Sequence, residues 1–313
     1  MRHAAALALA LALVCAITTG CGPLVTDEAE PLSVYATFYP IYALTDAVTR
    51  GAPEFARHCL VQPQEGCLRD YQLSDWDLAL LQRGARAVVM GGRGLESFES
   101  ALFSWGEDGP AVSAVLYNLG LYEGKPGDGE SESHLTGANP HLYMSLEGAK
   151  EIVGSIGATL VAMDPACAGL YAENAEAAVK QLDALLAENR ELLSGLRDRR
   201  VILMNEALVY VARDYDLEIV DQIDRESGAG MSDNELAACV ERLSGDEAGV
   251  ILIERQAPQA LAEALEAAGW RVARLDILST HREGEGFDAY LEIQRGNAQA
   301  VLAAFERAAG REG

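Results

Sequence analysis

The chain reads as an α/β protein built from two (β/α) lobes with mostly parallel sheets, joined by a long helix. Three observations predict this. Short, β-branched apolar runs alternate with helical patterns from Ser33 onward, which is the rhythm of βαβ units. The alternation stops between about Asp164 and Arg199 and then resumes. Within that break no strand pattern occurs, and Leu170, Ala178, Leu182, Leu185, Leu186, Leu192, Leu193 and Leu196 follow the three-and-four spacing of one apolar helix stripe. A helix of about 30 residues would run roughly 45 Å, the length of a small two-domain protein. A helical hairpin broken near Gly195 is the other reading of the same stretch.

The elements follow in order. Met1 to Gly20 has a basic start (Arg2, His3), an unbroken apolar run from Ala4 to Ile17, and small residues Thr18-Thr19-Gly20 before Cys21. That run is shorter than the ~20 residues needed to span a bilayer, so it reads as a signal peptide. A small-residue site followed at once by Cys matches a bacterial lipoprotein cleavage site. Cys21 is therefore expected to be the lipidated first residue, anchoring the protein on the outer side of the cell membrane. Cleavage at an ordinary signal site would equally place it outside the cytoplasm. Residues 21–32 are acidic and flanked by prolines, as a tether would be. Residues 33–163 then form the N-terminal lobe, 164–199 the linking helix and 200–309 the C-terminal lobe.

Within the lobes, strands are expected at Ser33–Thr37, Ala87–Met90, Val112–Leu116, Val201–Met204, Glu218–Asp221, Val250–Ile253 and Val272–Leu275. Helices are expected at Ile41–Thr49, Ser74–Gln82, Ser145–Met163, Asp233–Leu243 and Gln259–Ala268, among others. Residues 123–138, rich in Gly, Ser and acids, read as a loop that carries His134.

The formal net charge of -24 argues against nucleic acid and against adsorption on anionic lipid. Only three lysines occur, Lys125, Lys150 and Lys180, so nearly all positive charge is arginine. Beyond Cys15 and Cys21, the four cysteines Cys59, Cys67, Cys167 and Cys239 allow three disulfide pairings. Cys59–Cys67, closing a short local loop, is favoured over Cys167–Cys239. Neither a Gly-x-Ser-x-Gly elbow nor a phosphate-cradling Gly-Lys loop appears, so the chain is not expected to be an enzyme.

Seven segments carry a resemblance that covers nearly the whole mature chain in order. They are Ser33–Tyr42 with its Phe38-Tyr39-Pro40 turn, Arg69-Asp70-Tyr71 with Ser74–Leu81, Gly91–Glu96, Asn139-Pro140-His141-Leu142-Tyr143, Asn205-Glu206-Ala207 through Tyr210, Ile253-Glu254-Arg255-Gln256, and Leu275-Asp276. Together they resemble the solute-binding lipoproteins of zinc and manganese ABC importers. The resemblance implies two lobes joined by a rigid backbone helix and a divalent metal ion (Zn or Mn) held between them. It also implies delivery of the ion by a monomer to an ABC permease and its ATPase.

Carried over by residue, His141 stands on a family ligand histidine and Asp276 on the family's C-terminal carboxylate. Arg69 and Asn205 stand where two further histidines belong, with Glu206 beside Asn205. A guanidinium stays protonated and has no lone pair to give, so Arg69 cannot ligate a metal. It could instead pair with Asp276 or Glu206 and fill the cleft. Alternatively His141, Glu206 and Asp276, with His134 as a possible fourth ligand and Asn205 another possible one, make an oxygen-rich set leaning toward manganese or iron. Three functions therefore stay open: a metal importer subunit, a surface interaction protein on a metal-free scaffold, and a binder of another solute with Arg69 as charge partner. His58 and His281 are expected at the surface.

Overall fold

The computed structural model describes residues 32–52, 55–61, 68, 71–106, 109–121, 139–223, 232–243, 249–279 and 285–309. The leader, Cys21, the tether before Leu32, Cys67, Arg69, His134 and His281 lie outside the described residues. The N-terminal half runs β1 (Leu32–Ala36), α1 (Tyr39–Thr49), β2 (Phe55–Cys59), α2 (Asp75–Gly84), β3 (Ala87–Met90), α3 (Glu99–Phe103) and β4 (Ala111–Ala114). A 3-10 turn (Leu142–Met144) leads into α4 (Leu146–Met163), and a second one (Pro165–Cys167) leads into α5 (Ala168–Leu192). The C-terminal half is β5 (Arg200–Leu203), α6 (Leu208–Asp214), β6 (Glu218–Gln222), α7 (Asp233–Leu243), β7 (Val250–Glu254), α8 (Gln259–Ala267), β8 (Arg271–Leu275) and α9 (Phe287–Ala309).

The two four-stranded sheets have the same order, β2-β1-β3-β4 and β6-β5-β7-β8, and every pairing in them is parallel. All seven expected strands are present, with ends within two residues of those read from the sequence. The eighth, β2, escapes a hydropathy reading because it is an edge strand, Phe-Ala-Arg-His-Cys, that carries two polar side chains and buries little. On it His58 is exposed and stacks on Tyr35 at 4.5 Å between ring centroids.

The expected helix over 164–199 is shorter in the structure. It occupies Ala168–Leu192, 25 residues, and bends 119° from α4 at the break before Pro165. Proline has no N–H to continue α4, so the chain turns there. Cys167, just ahead of α5, carries a free thiol, so the Cys167–Cys239 pairing does not form.

Period-2 alternation explains how the C-terminal sheet is covered on both faces. Val201 and Leu203 of β5, Val250 and Leu252 of β7, and Ala273 and Leu275 of β8 face one core, with Leu182, Leu185 and Leu186 of α5. Ile202, Met204, Ile251, Ile253 and Val272 face the other, with Leu261 and Leu265 of α8 and Trp270. The first of these cores also contains Val34, Ala36, Val88 and Val89 of the N-terminal sheet, so one apolar cluster runs through both halves.

Helix α9 ties the halves together with polar bonds made out of water. The Tyr290 hydroxyl donates to Tyr143 O at 2.8 Å, and Gln294 Nε2 donates to Met144 O at 3.1 Å. Its first residue is capped by another helix: Phe287 N donates to Asp46 Oδ2 at 3.0 Å, while Arg57 holds Asp46 Oδ1 at 3.2 Å. A carboxylate at a helix N-terminus meets both an unmatched N–H and the positive end of the dipole. Asp46→Ala is expected to cost about 2 kcal/mol, with Asp46→Asn recovering part of it through its amide oxygen. Urea unfolding of the three proteins checks the order.

Candidate functional site

In an open parallel sheet, ligands meet the chain beyond the carboxyl ends of the strands, where the strand order reverses. Both sheets reverse beside their first strand, and the residues following β1, β3, β5, β7 and β8 are those singled out by the sequence.

On the N-terminal side the turn after β3 is built around a buried acid. Gly92, Arg93 and Gly94 have φ of +81°, +61° and +77°, a left-handed run suited to glycine. This points Gly91 N and Gly92 N at Glu96, at 2.8 Å to Oε1 and 2.8 Å to Oε2, and Thr37 Oγ1 from the end of β1 donates to Oε1 at 2.7 Å. Burial pushes the Glu96 carboxyl above the usual carboxylate range, and these three donors pull the other way. Glu96 therefore joins the ends of β1 and β3 rather than facing a ligand.

His141 opens the 3-10 turn ahead of α4. The turn presses closely on the helix because residue 148 is glycine, where a Cβ would lie 2.6 Å from the Leu142 carbonyl oxygen. Asn139 orients the imidazole. Its Oδ1 accepts from His141 N at 3.0 Å and lies 2.9 Å from His141 Nδ1. A carbonyl oxygen can only accept, so Nδ1 carries a proton; in the neutral imidazole this leaves the lone pair on Nε2, the form that coordinates a metal.

Asn139 also reaches the other half. Its Nδ2 donates to Glu206 O at 2.8 Å, and its carbonyl oxygen accepts from the Tyr210 hydroxyl at 2.6 Å. Hydropathy gives no sign of this bracket; the side chain's short reach just before Pro140-His141 is the only local signal.

On the C-terminal side, Asn205 follows β5, and its Oδ1 accepts from Ala207 N at 2.9 Å, opening α6 with a local turn. Glu206 Oε1 lies 3.7 Å from His141 Nδ1, so these two expected site residues meet across the halves. Asp276 follows β8 and is buried. Leu278 N donates to its Oδ1 at 2.9 Å, and Asn297 brackets its backbone on both sides. Its other oxygen is 3.0 Å from Arg255 Nη1. Asp276 therefore shapes its own turn and presents one carboxylate oxygen to an arginine. Arg255 was named in a matching segment, but only the sheet, by setting the end of β7 beside the end of β8, shows what it touches. Among the described residues, no three His, Cys, Asp or Glu side chains converge tightly enough to hold a metal ion.

Two parallel sheets of matching order, with carboxylates and an arginine beyond the strand ends of the second and an imidazole from the turn ahead of α4, define a bilobal α/β binding scaffold. The chain belongs to the ZnuA family, described as zinc-uptake complex component A, periplasmic, which it matches over residues 34–304. The iron-binding protein YfeA of Yersinia pestis is 33% identical over 152 residues, covering 47% of this chain and 46% of YfeA. The zinc-binding lipoprotein AdcA of Streptococcus pneumoniae serotype 4 is 26% identical over 281 residues, covering 86% of this chain and 55% of AdcA. The chain thus spans about half the length of these curated relatives. A solved structure of an FpvC mutant from Pseudomonas aeruginosa shares the fold with a TM-score of 0.75 at 23% identity, covering 88% of this chain and 100% of FpvC.

Because burial raises the folded pKa of Glu96, its favourable contribution is full below the ordinary Glu range and is lost as pH rises through the folded value. Glu96→Gln, which turns an amide N–H against one of the glycine N–H groups, is expected to cost about 1–3 kcal/mol in acid. The gap from wild type should narrow as pH climbs, as urea unfolding at pH 4 and pH 7 would show.

Proposed function

We propose that this chain is the extracytoplasmic solute-binding component of a metal ABC importer, capturing a divalent cation between its lobes for delivery to a permease. The observation that carries the reading is the 3.7 Å approach of Glu206 to His141 across the two halves; it is made at Nδ1, beside Asn139, so a shared ion at Nε2 would draw the Glu206 carboxylate round the ring. Asp276 from the end of β8, which does not converge with these two in this structure, would have to join them to make one imidazole and two carboxylates. That donor set suits manganese or iron at least as well as zinc, because carboxylate oxygens favour harder cations. His134 is a further candidate ligand. Membership of the ZnuA family and the likeness to iron- and zinc-binding relatives support the same reading. Lipidation at Cys21 would hold the protein at the membrane beside its permease, and residues 21–32 would serve as the tether. Cys59–Cys67 is proposed as a disulfide on the same extracytoplasmic logic.

The second reading is a scaffold that has exchanged metal for an internal charge pair and serves as a surface interaction protein or binds another solute. Two observations favour it: Arg255 rests on Asp276, and the Asn205 Oδ1 is spent on its own turn.

Calorimetry and metal analysis of the soluble protein starting at Gly22, with Zn²⁺ and Mn²⁺, separate the two. The importer reading expects one ion per chain, with His141→Ala and Asp276→Ala each weakening binding by about 100-fold or more, since each removes one of few ligands. Absence of binding at micromolar metal would refute it and leave the second reading standing.

A further inference from the structure

Asp276 and Arg255 are unequal partners. The Asp276 side chain is 6% exposed and that of Arg255 is 55% exposed. A carboxylate so far out of water is costly without a counter-charge, whereas a guanidinium at the surface loses little by turning to solvent. The carboxylate is also fixed, by Leu278 N on Oδ1 and by Asn297 along its backbone.

Around Arg255 the backbone is fixed and only the side chain is loose. Arg255 N donates to Leu275 O at 2.7 Å. Arg274 clamps the same turn from β8, its Nη2 donating to Arg255 O at 2.6 Å and to Ala257 O at 2.5 Å. Its Nη1 donates to Gln259 Oε1 at 2.7 Å, and Gln256 Nε2 ties the turn to Ser279 Oγ at 2.9 Å. The guanidinium of Arg255 thus swings from a stationary anchor, and its departure requires no movement of the sheet.

We propose that Arg255 is a displaceable counter-ion for the ligand carboxylate, occupying Asp276 when no cation is present and yielding it when one arrives. The proposal rests on the metal-capture reading and adds the residue that sets its affinity. A divalent cation must outcompete a single guanidinium contact, so ions that bind carboxylate weakly are discriminated against. On release the arginine returns to Asp276, so the buried carboxylate is never left bare. Arg255 acts through Asp276 and is not itself a ligand.

The test compares wild type, Arg255→Ala and Arg255→Gln from Gly22, measuring Mn²⁺ and Zn²⁺ affinity by calorimetry and dissociation rate by chelator chase. Urea unfolding of each ion-free protein reports whether it is folded, and the glutamine variant stands in if the alanine variant is not. Both variants are expected to bind at least about ten-fold tighter and to release the ion more slowly, the worth of one charge-assisted hydrogen bond. The gain should survive 1 M salt, where longer-range effects are screened beyond about 3 Å. A wild type that binds nothing alongside a variant that binds would make Arg255 a permanent block and overturns displacement. Equal or weaker binding by the variants, or a gain that vanishes in high salt, overturns the counter-ion role while leaving metal capture intact. No binding by any of the three overturns metal capture and this role with it.

Discussion

Asp214, at the end of α6, accepts hydrogen bonds from Ser145 Oγ at 2.7 Å and from Leu146 N at 2.5 Å, both at the start of α4 in the other half. Ser145 Oγ in turn accepts from Gly148 N at 2.9 Å, so the helix cap and the contact between halves are one hydrogen-bonded unit. Burial raises the Asp214 carboxyl above its ordinary range, while these donors and the nearby Arg190 favour the charged form. The 3-10 turn that carries His141 sits directly on this cap. Asp214 thus fixes the start of α4, from which that turn departs, while Asn139 sets the imidazole against Glu206 directly.

The continuous core limits what the two halves can do relative to each other. Apolar residues of both sheets, α5 and α9 share one cluster, and α9 adds buried polar bonds to the Tyr143–Met144 turn. Wide separation of the halves would expose that surface at roughly 25 cal/mol per Å² and strand its hydrogen bonds. Any change on binding that kept this core intact would be confined to side chains and loops at the strand ends. A scaffold of this kind sets affinity through the chemistry presented at a preformed seam rather than through domain closure.

At that seam the electrostatics pull in two directions. The surface is strongly acidic, which concentrates cations generally. Yet the most buried of the candidate ligand carboxylates already has a positive partner. A half-exposed arginine on a buried aspartate satisfies the carboxylate without locking it. Under the counter-ion proposal, the same pair would neutralise the carboxylate in the absence of an ion and leave a route to an ion-bound state.

Much of the fold was legible in the sequence because it rests on local periodicity. Runs such as Val-Ile-Leu at 201–203 and Ala-Val-Val-Met at 87–90 are apolar on both faces and read directly as buried parallel strands. The stripe from Leu170 to Leu196 likewise read as a helix, though the helix itself stops at Leu192. Strand β2 was invisible because a polar edge strand gains its register from β1, not from its own hydropathy. The candidate site divided along the same line. His141, Glu206 and Asp276 enter as candidate ligands only through the resemblance of short segments in the right order, and of these the structure brings His141 and Glu206 together. That Asn139 fixes the imidazole and that Asn205 folds onto its own turn depend on loop conformation two residues along, which hydropathy does not show, whereas Arg255 rests on Asp276 because the ends of β7 and β8 lie side by side. Adjacent parallel strands put residues about twenty positions apart within hydrogen-bond reach, and only the folded sheet decides those neighbours.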